Sequence, residues 1–414
     1  MAPNGLMVRS RTALRSGATL AAFHVPGFPA LWLSGSAGTI AWSISLVAIS
    51  WTTLLVSNSP FAVGVTFAAR LAPALLFGIP LGSVVDRFDR REILVTVNLL
   101  GALALLGIAG LANAGGLGLI QIVLVSLGLG VLDTVRGTAN QSYAFDLAGP
   151  TGATNAIALS NLGGQMFGSV GSIAGGIAID SAGPALAFAI AAVAAATAGS
   201  ILAIGGRHGA RERPTPRLTP DAARSTTLVL RNHLVAMIAL VVIVGEILGF
   251  SSITLYPTFA RDVLHVDAGG FGALSAARAL GGVVGLLLLA TLGFRGRGGV
   301  LLLTATAAFG VGLVAFSVST IFAVSLVVLL FVGCAASCLD TLGQSLMQQS
   351  VGDHERGAAM GVWFFAIGFG PFGYLGLGAA ASTVGAPLSL AISGAILALI
   401  AVGLATVGTL RRLR

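Results

Sequence analysis

The chain has 414 residues, of which 56% are hydrophobic and 9% charged, and a formal net charge of +8. A soluble domain carries roughly 25% charged residues to cover its core, so most of this surface must face lipid. The same scarcity of charge excludes disorder. Apolar runs of helix length, rather than alternating segments of about 10 residues, exclude an outer-membrane barrel.

Apolar runs broken by Gly, Pro and charge predict spans near residues 30–55, 61–82, 92–113, 117–143, 155–179 and 184–205. A second set follows near 234–257, 270–292, 300–317, 320–346, 358–380 and 387–409. Charge-free stretches such as Leu99–Leu132 and Val300–Leu339 exceed the roughly 20 residues of one crossing, so some must be parts of two spans joined by a tight turn. The expected organisation is a cytoplasmic N-terminal segment (1–29), a six-helix half (30–205), a linker (206–233), a second six-helix half (234–409) and a short tail (410–414). The first residues contain Arg9, Arg11 and Arg15 and no compact apolar region with a cleavage site, unlike a signal peptide. The linker holds Pro214, Pro216, Pro220 and six arginines, as a cytoplasmic connector would.

All basic charge is arginine. With the N-terminus inside, 18 arginines fall in inside segments, one (Arg261) lies outside, and Arg70, Arg136 and Arg278 lie within spans. Cytoplasmic loops are the arginine-rich ones, so both termini are expected in the cytoplasm. The basic balance then needs no nucleic-acid partner.

The halves repeat. Ala68-Ala69-Arg70 in span two matches Ala276-Ala277-Arg278 in span eight at an offset of 208 residues. Asp133-Thr134 in span four matches Asp340-Thr341 in span ten at 207, and Gly168 and Gly171 match Gly370 and Gly373 at 202. Six spans per half, both halves starting inside, imply parallel repeats about an axis along the membrane normal, with a substrate site between them.

The loop after span two reads Gly82-Ser83-Val84-Val85-Asp86-Arg87-Phe88-Asp89-Arg90-Arg91. It resembles the signature loop of the Major Facilitator Superfamily, with Asp89 in place of a second Gly, in the form of the siderophore and macrolide exporter branch of drug:proton antiporters. Phe28-Pro29-Ala30-Leu31-Trp32-Leu33 and Asn155-Ala156-Ile157-Ala158-Leu159 are similar to that branch as well. The resemblance implies a twelve-helix, all-α membrane protein of that superfamily's fold, working by alternating access in the bacterial cytoplasmic membrane. It implies a conformational gate of Gly82, Asp86, Arg87, Arg90 and Arg91. In the outward-facing state Asp86 would accept N–H groups at the start of span eleven, and Arg90 would pair with Asp146 or Asp133. The second-half loop, Gly293-Phe294-Arg295-Gly296-Arg297, lacks the acid.

Charged groups inside spans are costly and mark function or a partner. Glu246, near the middle of span seven with no other charge for a dozen residues, either alternates between protonated and charged forms, pairs with a cationic substrate, or is a protonated or hydrogen-bonded structural Glu. Asp340 is a second candidate. Asp133 and Arg136, three apart on one helix face, are either part of a proton route or a structural pair. Arg70 and Arg278, being repeat-related, are expected to brace the two halves symmetrically. Cys334 and Cys338 read as small packing residues, and no residue set has metal-ligand spacing.

These features predict a secondary transporter, not an enzyme: proton-coupled efflux of a hydrophobic or amphipathic small molecule such as a drug, siderophore or secondary metabolite. The expected partners are the substrate, protons and the lipid bilayer, with no cofactor, in a monomer. The alternative is a facilitator or importer of a small metabolite.

Overall fold

A computed structural model describes residues 20–205, 227–229, 231–292, 297–352 and 355–407. The N-terminal segment, most of the linker, much of the 293–297 loop and the tail therefore lie outside the described residues. So do the packing of Gly82 and the side chain of Asp86.

The described chain is helical because a bilayer offers no partner to an open backbone N–H or C=O. Among the described residues, 11 helices are long and apolar enough to cross a membrane. In the first half these are α1 (Phe28–Ser57), α2 (Pro60–Gly78, continuing helically to Arg87), α3 (Arg90–Asn113), α4 (Leu119–Gly149) and a stretch Asn155–Ile204. That last stretch is 50 residues, roughly 75 Å of helix. Its backbone leaves helical geometry at Ala182 and Gly183, so we treat it as two limbs, α5 (155–181) and α6 (184–204). The second half comprises α7 (His233–Asp262), α8 (Ala268–Thr291), α9 (Gly298–Ser317), α10 (Phe322–Gln349), α11 (Arg356–Val384) and α12 (Ala386–Thr406).

Helix starts follow from local chemistry. Ser59 accepts from the Ala62 N–H at 3.4 Å before Pro60, whose missing N–H costs nothing in a first turn. Asn232 caps α7 through the N–H groups of Leu234 and Val235. The turns α5–α6 and α11–α12 carry glycines at positive φ, Gly183 (79°) and Gly385 (85°). Their separation is 202 residues, the offset already seen between Gly168 and Gly370.

Two helices break mid-course. In α7 the ladder widens to a π-turn over Gly245–Gly249 and tightens to a 3-10 turn over Phe250–Leu255. In α11 helical geometry lapses between Ile367 and Gly370, where Pro371 cannot donate to the Ile367 carbonyl.

Glycine lets helix pairs approach. On α5, a Cβ at Gly171 or Gly175 would press on the α1 backbone at Ile40 or Ile44, and one at Gly163 would strike the Trp32 ring. In each half, the arginine-bearing helix is crossed by a glycine: Gly130 meets the Arg70 carbonyl, and Gly333 meets that of Arg278. Close packing through small residues holds helices together where lipid removes the hydrophobic drive. Cys334 and Cys338 are free and pack against Gly285 of α8.

Candidate transport site and the signature loop

The loop between α2 and α3 knits one end of the first half together. Asp89 is the N-cap of α3, accepting from Arg91 N at 2.9 Å and Glu92 N at 3.3 Å. That gives a physical use for an acid where the family loop has glycine. Arg90 meets the Asp146 carboxylate on α4, selecting it over Asp133. Arg91 donates to the Leu202 carbonyl (2.6 Å) and the Ala203 carbonyl (2.8 Å), capping the C-terminal end of α6, where a cation suits the helix dipole. Arg87 is exposed. Beside this loop, the two other exporter-like segments meet. The Trp32 indole N–H donates to Leu159 O at 3.1 Å, and Asn155 accepts from Ala22 N at 3.1 Å. Phe23, Phe28, Trp32 and Phe167 stack edge-on around them.

Deeper in the first half, Asp133 holds two arginines, one per oxygen. Arg70 Nε lies 2.9 Å from Oδ2 and Arg136 Nη2 lies 3.3 Å from Oδ1. Arg70 also donates to Ser45 Oγ at 3.1 Å and stands 5.8 Å from the Trp42 ring centroid. Arg136 reaches the face of α1 at Gly38. The cluster joins α1, α2 and α4, with one carboxylate shared by two guanidinium groups, a net charge of +1.

The second half repeats the residues but not the pairing. Arg70 and Asp133 pair because Gly130, three residues before Asp133, sits on the Arg70 backbone. Arg278 instead crosses α10 at Gly333, seven residues before Asp340, about two turns away. Among the described residues no ion pair joins Arg278, Asp340 or Glu246. The Arg278 Nε is buried without a hydrogen-bond partner, and its guanidinium stands 5.8 Å from the Phe250 centroid. Asp340 is exposed although it lies well inside α10.

Glu246 is buried at 7% exposure, with no hydrogen-bond partner among the described residues, in the π-turn of α7. Arg278 and Asp340 both lie within its electrostatic reach. Its Oε2 lies beside Gly370, at the break in α11, and a Cβ on Gly370 would also collide with Leu71 of α2. One turn further along α11, Tyr374 packs on Phe67 of α2, ring centroids 5.5 Å apart. Glu246 thus sits where broken helices of one half meet a helix of the other. Its position as a lone charge was legible in sequence; the π-turn and the Gly370 and Tyr374 surroundings were not. Among the described residues no group of three or more His, Cys, Asp or Glu could hold a metal.

Among the described residues, 11 helices long and apolar enough to cross a membrane make a polytopic helical bundle. Residues 31–373 match the Major Facilitator Superfamily, and the chain belongs to that family. It is therefore a multi-pass membrane transporter, not an enzyme. Among characterised relatives, it is 25% identical over 403 residues to the enterobactin exporter EntS of Citrobacter koseri, covering 94% of each chain. It is 25% identical over 401 residues to EntS of Salmonella typhimurium, again covering 94% of each. Among solved structures, the fold matches a bacterial homologue of the human lysosomal transporter Spinster in an inward-facing, unoccupied conformation (TM-score 0.73, 15% identity, 93% of this chain and 96% of that one). The nucleoside transporter NupG matches comparably (TM-score 0.74, 14% identity, 92% and 99%).

Proposed function

We propose that the chain is a proton-coupled exporter of a hydrophobic or amphipathic small molecule, with twelve spans in two halves and both termini in the cytoplasm. The kinship to enterobactin exporters over nearly the whole chain favours efflux and a siderophore-like or secondary-metabolite cargo. The non-helical backbone at Ala182 and Gly183 within the long stretch supports reading it as two crossings, which would make twelve. The arginine-rich loops then lie on the cytoplasmic side.

The observation that carries the coupling is Glu246. A buried carboxyl with no fixed partner, set in a π-turn against the break in α11, can exchange a proton for a cationic or polar group of the cargo. Either change alters the electrostatics at the boundary between the halves. π-Bulges recur at functional sites because the widened ladder frees backbone groups and re-aims side chains. Asp340 is the second proton-accepting candidate, while Asp133 and Arg136 hold the first half together as a structural cluster. Asp86, Arg87, Arg90 and Arg91, with Gly82 and Asp146, form the cytoplasmic gate of a transporter that works as a monomer.

The test is transport in everted vesicles under an imposed pH gradient, with cationic dyes and catecholate-type metabolites as cargo. Gradient-dependent accumulation that an uncoupler abolishes is the expected result. Movement indifferent to the gradient would remove proton coupling while leaving the fold untouched.

A further inference from the structure

At the end of the bundle away from the arginine-rich loops, two hydrogen-bonded contacts bridge the halves, and these contacts are copies of one another. On one side, the Asp180 carboxylate at the end of α5 accepts from Ala268 N at 3.0 Å and from Gly269 N at 2.6 Å, the first free amides of α8. On the other, Ser382 Oγ near the end of α11 accepts from Phe61 N at 3.3 Å, in the first turn of α2. Asp180 and Ser382 are 202 residues apart, the offset of the α5–α6 and α11–α12 turns, while Phe61 and Gly269 are 208 apart, the offset of Arg70 and Arg278. The glycines beneath obey the same relation. Gly176 lies on the backbone of Ala268 and Gly269, as Gly378 lies on that of Pro60 and Phe61.

From this geometry we infer that Asp180 and Ser382 are the two arms of an outer latch, each capping the first turn of a helix in the opposite half while that end is closed. The inference rests on the alternating-access reading, in which these helix ends must part.

The arms differ in strength for a chemical reason. Asp180 offers two charged oxygens to two adjacent N–H groups at the positive end of a helix, where an anion is favoured. Ser382 offers one neutral oxygen to one N–H, because Pro60, at the position matching Ala268, has none to give. Asp180 is exposed, so on opening water takes over its hydrogen bonds and the cost of release is modest. That suits a latch that must open in every cycle. Asp267 adds a local cap, accepting from Gly270 N at 3.1 Å within its own half, and leaves the two leading amides to Asp180.

The test uses the full-length protein with Cys334 and Cys338 replaced by serine and spin labels at Asn113→Cys and Val318→Cys. These exposed positions are the last residue of α3 and the first residue after α9. Pulsed distance measurement in proteoliposomes reads the open and closed populations. Asp180→Ala is expected to raise the open-to-closed ratio about fivefold, the scale of losing a cap, and Ser382→Ala by about twofold or less. Gly176→Val wedges the same helices apart by sterics and is expected to open that end whatever the latch does. If Gly176→Val opens it and Asp180→Ala leaves the ratio unchanged, the latch is refuted. If no variant and no cargo changes the distance, the alternating-access reading itself falls.

Discussion

The two halves of this transporter carry repeat-related charges in their interiors, yet only one half pairs them. In the first, Asp133 binds Arg70 and Arg136 and ties three helices. In the second, a different register between α8 and α10 separates Arg278 from Asp340, leaving two acids and a cation without fixed partners among the described residues. A buried charge with its partner is scaffold; one without a partner is either a defect or a working part. The ends of the helices repeat faithfully, from the glycine turns to the cross-half caps, while the chemistry between them has diverged. In the proposed alternating-access cycle, symmetric ends would let the halves rock about a common axis, and the asymmetric interior is where the proposed coupling would reside.

The largest expected effect comes from the unpaired side. Glu246→Gln keeps the shape and removes the titration, and should abolish gradient-driven transport in vesicles while thermal unfolding in detergent stays within a few degrees of wild type. Asp340→Asn should weaken coupling less, because Asp340 is the more exposed of the two acids; a gradient dependence equal to wild type would exclude it from the proton route.

The paired side should respond in stability rather than coupling. Asp133→Asn leaves Arg70, which is 11% exposed, without its counter-charge. Stranding a partly buried charge costs about 1–3 kcal/mol, to be read as a lower unfolding temperature. An Asp133→Asn protein of wild-type stability but lost proton coupling would reverse the roles assigned to the two clusters.

At the signature-loop end, which the proposed orientation puts in the cytoplasm, Asp86→Asn is expected to lower the outward-facing population, measured by impermeant labelling of a cysteine on that side. The smallest effect belongs to the loop's variant residue. Asp89→Ala removes the N-cap of α3 and should cost about 1 kcal/mol with little change in transport; a strong transport defect at unchanged stability would mean that Asp89 takes part in the gate itself.

Much of this architecture was legible in sequence, because span length and hydropathy are dictated by bilayer thickness and glycine offsets betray the repeat. The signature loop led to Arg90 and to its two candidate acids, of which the structure pairs it with Asp146. Other features depended on helix register. Asp133 and Asp340 look equivalent along the chain, and only the crossing points at Gly130 and Gly333 show that one has an arginine within reach. Asp180 was invisible for a different reason: an acid in a short loop is unremarkable until the amides of a helix from the other half are found on it. The π-turn around Glu246 likewise left no mark in a segment whose composition reads as ordinary helix.

The most direct test of the central claim compares wild type with Glu246→Gln in proteoliposomes carrying a pH gradient, following cargo and internal pH together. The account predicts cargo movement coupled to proton flux in wild type, and neither gradient-driven movement nor proton flux in the variant, which would still bind cargo. Proton-coupled transport at the wild-type rate in Glu246→Gln would contradict it, and would place the coupling elsewhere in the bundle.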